Sequence, residues 1–266
     1  MKIFISADIE GVAGISNWIE ARDKYPEYAY FSEQMSREVA GACEGSNKAG
    51  AEEILIKDAH GPARNINPRL LPENVRLISG WSGHPFRMVQ ELDETFDALV
   101  FVGYHTFAGA SGNPLAHTIN SSKIDYIKLN GEYCSEFLMN SYVGAYLGVP
   151  IVFLSGDGQI CEEAKSLNED IITVETNVGK GNSSISINPD KSVELIKKGV
   201  EASLSGSLKN KKLDLPKSFK VEISYKEHGD AYRNSFYPGV NQTGARTIYF
   251  EDQDYFNIMT AFSFLI

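Results

Sequence analysis

Short apolar runs, each cut off by a polar or charged cluster, set the rhythm of the chain. Residues 2–7, 53–57, 75–78, 98–102, 150–154 and 171–175 read as strands. The run at 98–102 (Ala-Leu-Val-Phe-Val) is continuously apolar, as in a parallel strand covered on both faces. Between the runs lie helical patterns. One at 32–49 takes Ser32 as its N-cap and stops at Gly50; others cover 132–147 and 161–167, and Asn188-Pro189 opens one that runs to residue 204. A shorter helix is expected at 85–92. Residues 125–129 with Asn130-Gly131 form one arm of a hairpin. This alternation predicts an α/β fold: three layers around a doubly wound, mostly parallel sheet.

The pattern changes after residue 206. Residues 207–216 are Lys-rich, without apolar periodicity, and end at Pro216, so they read as a linker. Beyond it Phe219, Val221, Ile223 and Tyr225 alternate with polar residues, the period of a half-exposed strand. A turn at 237–239, a strand at 247–250 and a helical end complete a small α+β lobe. The expected division is a catalytic domain at 1–206 and a C-terminal lobe at 217–266.

Composition narrows the function. The 266 residues are 42% hydrophobic and 23% charged, ordinary for a globular chain that can bury a full core. A net charge of −10 argues against nucleic acid and an anionic membrane surface as partners. No apolar stretch is long enough to span a bilayer, and the first apolar run meets Asp8 too early for a signal peptide. Cys43, Cys134 and Cys161 have neither metal nor redox spacing, so the expectation is reduced thiols in a cytoplasm.

The chemistry gathers where strands end. Asp8 and Glu10 follow the first strand, His60 the second and His105 the run at 98–102. Parallel strands bring their carboxyl ends to one edge, where open α/β sheets bind ligands. Carboxylates this close repel unless a cation lies between them, and imidazole with carboxylate suits zinc, manganese or iron. Each His alone reads more readily as a cap or core hydrogen-bonder than as a ligand; their shared placement at strand ends carries the weight. Glu136 shares a helix face with apolar Met139 and Val143, costly without a cation; it reads equally as a first-turn Glu favoured by the helix dipole, and Glu132 competes for either role. His117 could move protons or act as a nucleophile, or be a surface residue. Asp58 could orient His60 or cap its loop. No phosphate-binding glycine loop or nucleophile elbow is present, and no Lys or Arg cluster adjoins the strand ends in sequence.

Taken together, Ala7-Asp8-Ile9-Glu10-Gly11, Asp58-Ala59-His60, Leu77-Ile78-Ser79-Gly80, Pro85-Phe86 with Met88, Gly103-Tyr104-His105, His117-Thr118, Glu136 with Asn140 and Tyr142, Val149-Pro150, Gly156-Asp157, Pro238-Gly239 and Thr243-Gly244 resemble the zinc-dependent D-aminopeptidases of the DppA type. The motifs occur in family order across nearly the whole chain. The resemblance implies two zinc ions per chain on Asp8, Glu10, His60, His105 and Glu136, with Asp8 suited to bridge them. It implies His117 as the catalytic nucleophile or acid/base, short D-peptides such as D-Ala-D-Ala as substrates, and a ring-like homodecamer. The loop between His105 and His117 is about a residue longer than the family pattern, and its Gly-Ala-Ser-Gly-Asn-Pro content is this chain's own. Alternatives are a two-metal hydrolase of other small amides, L-peptides or phosphate esters, and a non-catalytic, metal-stabilised peptide-binding protein.

Overall fold

The computed structural model describes residues 1–266, the side chain of Lys209 excepted. In chain order the elements are β1 (Lys2–Ala7), α1 (Tyr28–Lys48), β2 (Glu53–Asp58), β3 (Val75–Ile78), β4 (Ala98–Tyr104), β5 (Ile124–Leu129), β6 (Glu132–Tyr133), α2 (Glu136–Leu147), β7 (Ile151–Asp157), α3 (Gly158–Leu167), β8 (Ile172–Lys180), β9 (Ser183–Ser186), α4 (Pro189–Leu204), β10 (Phe219–Tyr225), α5 (His228–Asn234), β11 (Asn241–Gln242), β12 (Thr247–Asp252) and α6 (Tyr255–Leu265).

The main sheet has the order β3-β2-β1-β4-β7-β8-β9. All its pairings are parallel except that of β9, which returns antiparallel along β8. The chain winds outward from β1 through β2 to β3, then crosses back to β4 and proceeds to β7 and β8. The winding therefore reverses between β1 and β4, which opens a crevice at their carboxyl ends.

Period-two alternation divides the core into two layers. Ile3, Ile5 and Ala7 join Met35, Val39 and Ala42 of α1 and Ile196 and Val200 of α4 on one face. Phe4, Leu99 and Phe101 join Phe137, Met139 and Val143 of α2 and Ile160 and Ala164 of α3 on the other. The doubly wound α/β expectation holds.

A second, antiparallel sheet has the order β11-β12-β10-β5-β6. Residues 217–266 supply three of its strands, and the hairpin 124–133 supplies the other two. Their apolar side chains continue the core that covers α2. Tyr255 of α6 donates its hydroxyl to the Met139 carbonyl at 2.7 Å and ties lobe to helix.

Some element limits differ from the sequence reading, for local reasons. Helix α1 begins at Tyr28, so Ser32 lies inside it and donates to the Asn65 carbonyl instead of capping. Helix α2 begins at Glu136, four residues later than expected. Asn130 and Gly131, both at positive φ, turn β5 back into β6, which takes Glu132. Ser135 then caps α2 through the Leu138 N–H. At 85–92 only a 3-10 turn forms, Arg87–Val89. Strand β9 and the short α5 lack a clear periodic signal and were not expected.

Candidate metal centre

Register brings the donors together. Ala7 of β1 lies beside Asp58 of β2 and Val102 of β4, so all three strands run out at one edge. The ends of β1 and β4 are in backbone contact: Asp8 N–H donates to the Val102 carbonyl at 2.8 Å and Gly11 N–H to the Gly103 carbonyl at 2.9 Å. A side chain on Gly11 would collide with the Tyr104 carbonyl, and one on Gly103, at φ +71°, with the Asp8 carbonyl. Only glycine permits that approach.

Asp8, Glu10, His60, His105 and Glu136 are all buried here, and His117 is mostly buried beside them. His60 Nδ1 lies 3.3 Å from Asp8 Oδ1 and 3.0 Å from Glu10 Oε2. His105 Nε2 lies 3.6 Å from Asp8 Oδ2 and 3.7 Å from Glu136 Oε1. His117 Nε2 lies 3.6 Å from Glu136 Oε1 and 4.0 Å from Glu10 Oε1. Donor atoms converge in three sets: Asp8, Glu10 and His60; Asp8, His105 and Glu136; and Glu10, His105 and His117. Asp8 belongs to the first two, with one oxygen turned toward each histidine.

The backbone fixes each imidazole. The far ring nitrogen of His60 meets the Ala21 carbonyl at 2.6 Å, that of His105 the Thr106 carbonyl at 2.9 Å, and that of His117 the Leu115 carbonyl at 2.9 Å. A carbonyl only accepts, so in a neutral ring the proton sits there and the lone pair faces the carboxylates. Lone pairs against carboxylates repel, unless a cation sits between them or the rings protonate. His105 Nε2 and Glu10 Oε2 are buried without a hydrogen-bond partner. The donor set, hard oxygens with borderline imidazoles, fits zinc.

The charges show the same tension. Burial pushes Asp8 up, and the neighbouring Glu10 pushes it further. Burial also works against the Glu10 carboxylate, but His60 outweighs it and holds Glu10 low. Burial raises Glu136. It depresses His60 and His105, yet the carboxylates prevail, lifting His60 well above its usual range and His105 to about 9. His117 drops to about 4, through burial and then the charge of His105. The direction of these shifts is that of buried carboxylates short of positive charge.

Of the two roles open to Asp58 in the sequence, the structure shows the second. Asp58 accepts from the side chain of Asn65 at 2.7 Å and from Ile66 N–H at 2.9 Å. It caps the loop carrying His60, and the Ala21 carbonyl holds the ring instead. Glu136 is set by the α2 N-terminus and accepts from Ile119 N–H at 2.6 Å. Ile119 has φ +62°, a rare conformation for a β-branched residue. Glu132 lies exposed on β6, away from the centre.

A cavity of about 480 Å³ opens onto the cluster. Besides Asp8, Glu10, His60, His117 and Glu136 it is lined by Trp18, Arg22, Lys24, Trp81 and Arg87. The sequence reading missed these five. They lie in loops after β1 and β3, and their signal was available: β3 ends at the same edge as β2, so its loop had to border the site. The expected lack of basic residues near the strand ends is thereby corrected, since three cations line the wall through tertiary contact.

The peptidase M55 family model, described as D-aminopeptidase, matches residues 1–264. A D-aminopeptidase of Bacillus subtilis (strain 168) is 27% identical over 256 residues, covering 96% of this chain and 92% of that protein. The solved structure of the Zn-dependent D-aminopeptidase DppA from Bacillus subtilis, described as a self-compartmentalizing protease, superposes with a TM-score of 0.93 at 25% identity. The match covers 100% of this chain and 96% of that one.

Proposed function

The chain belongs to the D-aminopeptidase family, and within it we propose a zinc-dependent aminopeptidase that cleaves short peptides, D-Ala-D-Ala among them, from a free N-terminus. The observation that carries the reading is the sharing of Asp8 between two donor sets, one completed by Glu10 and His60 and the other by His105 and Glu136. A carboxylate shared in this way would suit two adjacent cations.

Zinc held by these residues supplies Lewis acidity toward the scissile carbonyl and acidity to a nearby water. The protein's own part is to position and to move protons. Asp8 and Glu10 hold their geometry because β1 and β4 meet at Gly11 and Gly103. His117 lines the cavity, with Nε2 toward Glu10 and Glu136 and Nδ1 engaged by the Leu115 carbonyl. It takes the proton as water oxygen adds to the carbonyl carbon, then delivers it to the leaving nitrogen as the C–N bond breaks. Trp18 packs edge-on against the His117 ring at 5.1 Å and limits its rotation.

All six residues fall within 1–206, which we assign the chemistry; the lobe at 217–266 buttresses α2. We further propose a cytoplasmic homo-oligomer, a decameric ring, in keeping with the self-compartmentalizing relative.

The test is elemental analysis of purified protein together with ninhydrin assay of D-Ala-D-Ala and L-Ala-L-Ala, before and after chelation. Two zinc per chain with chelator-sensitive release from the D-peptide is the expected result. Turnover of the L-peptide alone would require a different substrate. Arg22, Lys24 and Arg87 in the cavity wall favour a phosphate-ester reading as the rival, and a p-nitrophenyl phosphate assay separates the two.

A further inference from the structure

One cation in the cavity wall has no assigned task. Lys24 lies over the ring of Tyr25 and Arg22 over that of Trp18. Arg87 lines the same cavity, half-buried, yet among the described residues its guanidinium makes no hydrogen bond, ion pair or ring contact. It interacts electrostatically with Glu136 but is too distant for an ion pair. An arginine stays charged and carries five donors in a planar fork, so leaving it unmatched in a partly desolvated wall is costly.

The backbone holds it there. Arg87 has φ +48°, in the left-handed region, between buried Phe86 and Met88. Its N–H donates to the His84 carbonyl at 3.0 Å, and the Met88 carbonyl accepts from Ser6 Oγ of β1 at 2.7 Å. The turn is thus pinned to the strand that carries Asp8 and Glu10.

We propose that Arg87 receives the C-terminal carboxylate of the substrate, so that the enzyme selects peptides whose leaving group is a short acid with a free carboxylate. The inference rests on the aminopeptidase reading. The guanidinium fork of Arg87, with no partner of its own, matches a carboxylate with two parallel hydrogen bonds. A carboxylate held at Arg87 orients the peptide along the cavity, with its scissile bond toward the donor cluster. One residue beyond the scissile bond reaches roughly 3.5 Å, so a short leaving group suits a cation that lines the same cavity as the donor cluster.

The experiment compares D-Ala-D-Ala with D-Ala-D-Ala-amide on wild type, Arg87→Met and Arg87→Lys. Each is assayed with zinc bound, for turnover and, in a His117→Ala background that slows cleavage, for binding by calorimetry. Expected in Arg87→Met is a roughly 10- to 100-fold rise in KM for the acid, with the amide unchanged and the binding preference for the acid lost. Arg87→Lys should recover part of the preference. Equal losses for acid and amide would show a structural role, and a wild type that binds both alike would equally overturn the proposal. Wild-type protein that prefers the acid in binding but cleaves neither peptide would instead defeat the aminopeptidase reading and leave Arg87 as a carboxylate receptor.

Discussion

The imidazoles of His105 and His117 lie stacked, with ring centroids 4.3 Å apart and planes 10° from parallel. Burial, and then the charge of His105, lower His117 to about 4. With Nδ1 held by the Leu115 carbonyl, Nε2 is the nitrogen left to exchange a proton in the cavity. His117→Ala should keep two zinc per chain and lose about 10²- to 10⁴-fold in kcat. Near wild-type turnover would remove His117 from the mechanism, and loss of zinc would make it a ligand through the set it forms with Glu10 and His105.

Asp8→Asn tests the bridge. Asp8 offers one oxygen toward His60 and the other toward His105, so its replacement should lower zinc content by at least one ion per chain, read by elemental analysis. In the wild type, zinc should also raise the thermal midpoint. Binding to the folded state alone contributes about 2.7 kcal/mol at a hundred times Kd. An unchanged stoichiometry in the variant would mean that the two donor sets do not share this residue.

Gly11→Ala should damage site and fold together. The added methyl meets the Tyr104 carbonyl, and β1 and β4 must part where the donors converge. A loss of about 1–3 kcal/mol in chemical denaturation is expected, with weakened zinc retention. Gly229→Ala, with open space around it in α5, serves as the control and should be neutral or slightly stabilising. Equal behaviour of the two variants would contradict the close strand approach.

Glu163 should impose a pH dependence on stability. Burial raises its pKa to about 7, against the pull of a hydrogen bond from Ser135 at 2.6 Å. Its other oxygen is buried without a partner. The folded chain thus holds the proton more tightly than the unfolded chain. This stabilisation is present below the ordinary Glu pKa and is lost as pH rises through about 7. Glu163→Gln should flatten that slope and be more stable above pH 7, by roughly 1–3 kcal/mol. The check is thermal midpoints of both proteins from pH 4 to 9; parallel curves would refute the assignment.

Much of the site was legible because the strands are short, apolar and parallel. Once β1, β2 and β4 are recognised, Asp8, Glu10, His60 and His105 must share an edge. Glu136 was half legible. Its helical face was visible, but the choice over Glu132 needed the hairpin at Asn130-Gly131, which draws Glu132 into β6. Ser32 misled as a cap because a hydroxyl serves a loop carbonyl as well as a helix end.

The sequence by itself determined the alternation of strands and helices that makes a doubly wound sheet, and the carboxylates and imidazoles at its strand ends, since local periodicity and strand-end residues are properties of contiguous segments. The tertiary structure alone decided that the hairpin 124–133 joins the C-terminal strands in one sheet, that backbone carbonyls of Ala21, Thr106 and Leu115 set the histidine rings, and that Arg87 reaches the cavity. Those relations join segments far apart in the chain. They depend on how the layers pack, and no spacing in the sequence encodes that distance.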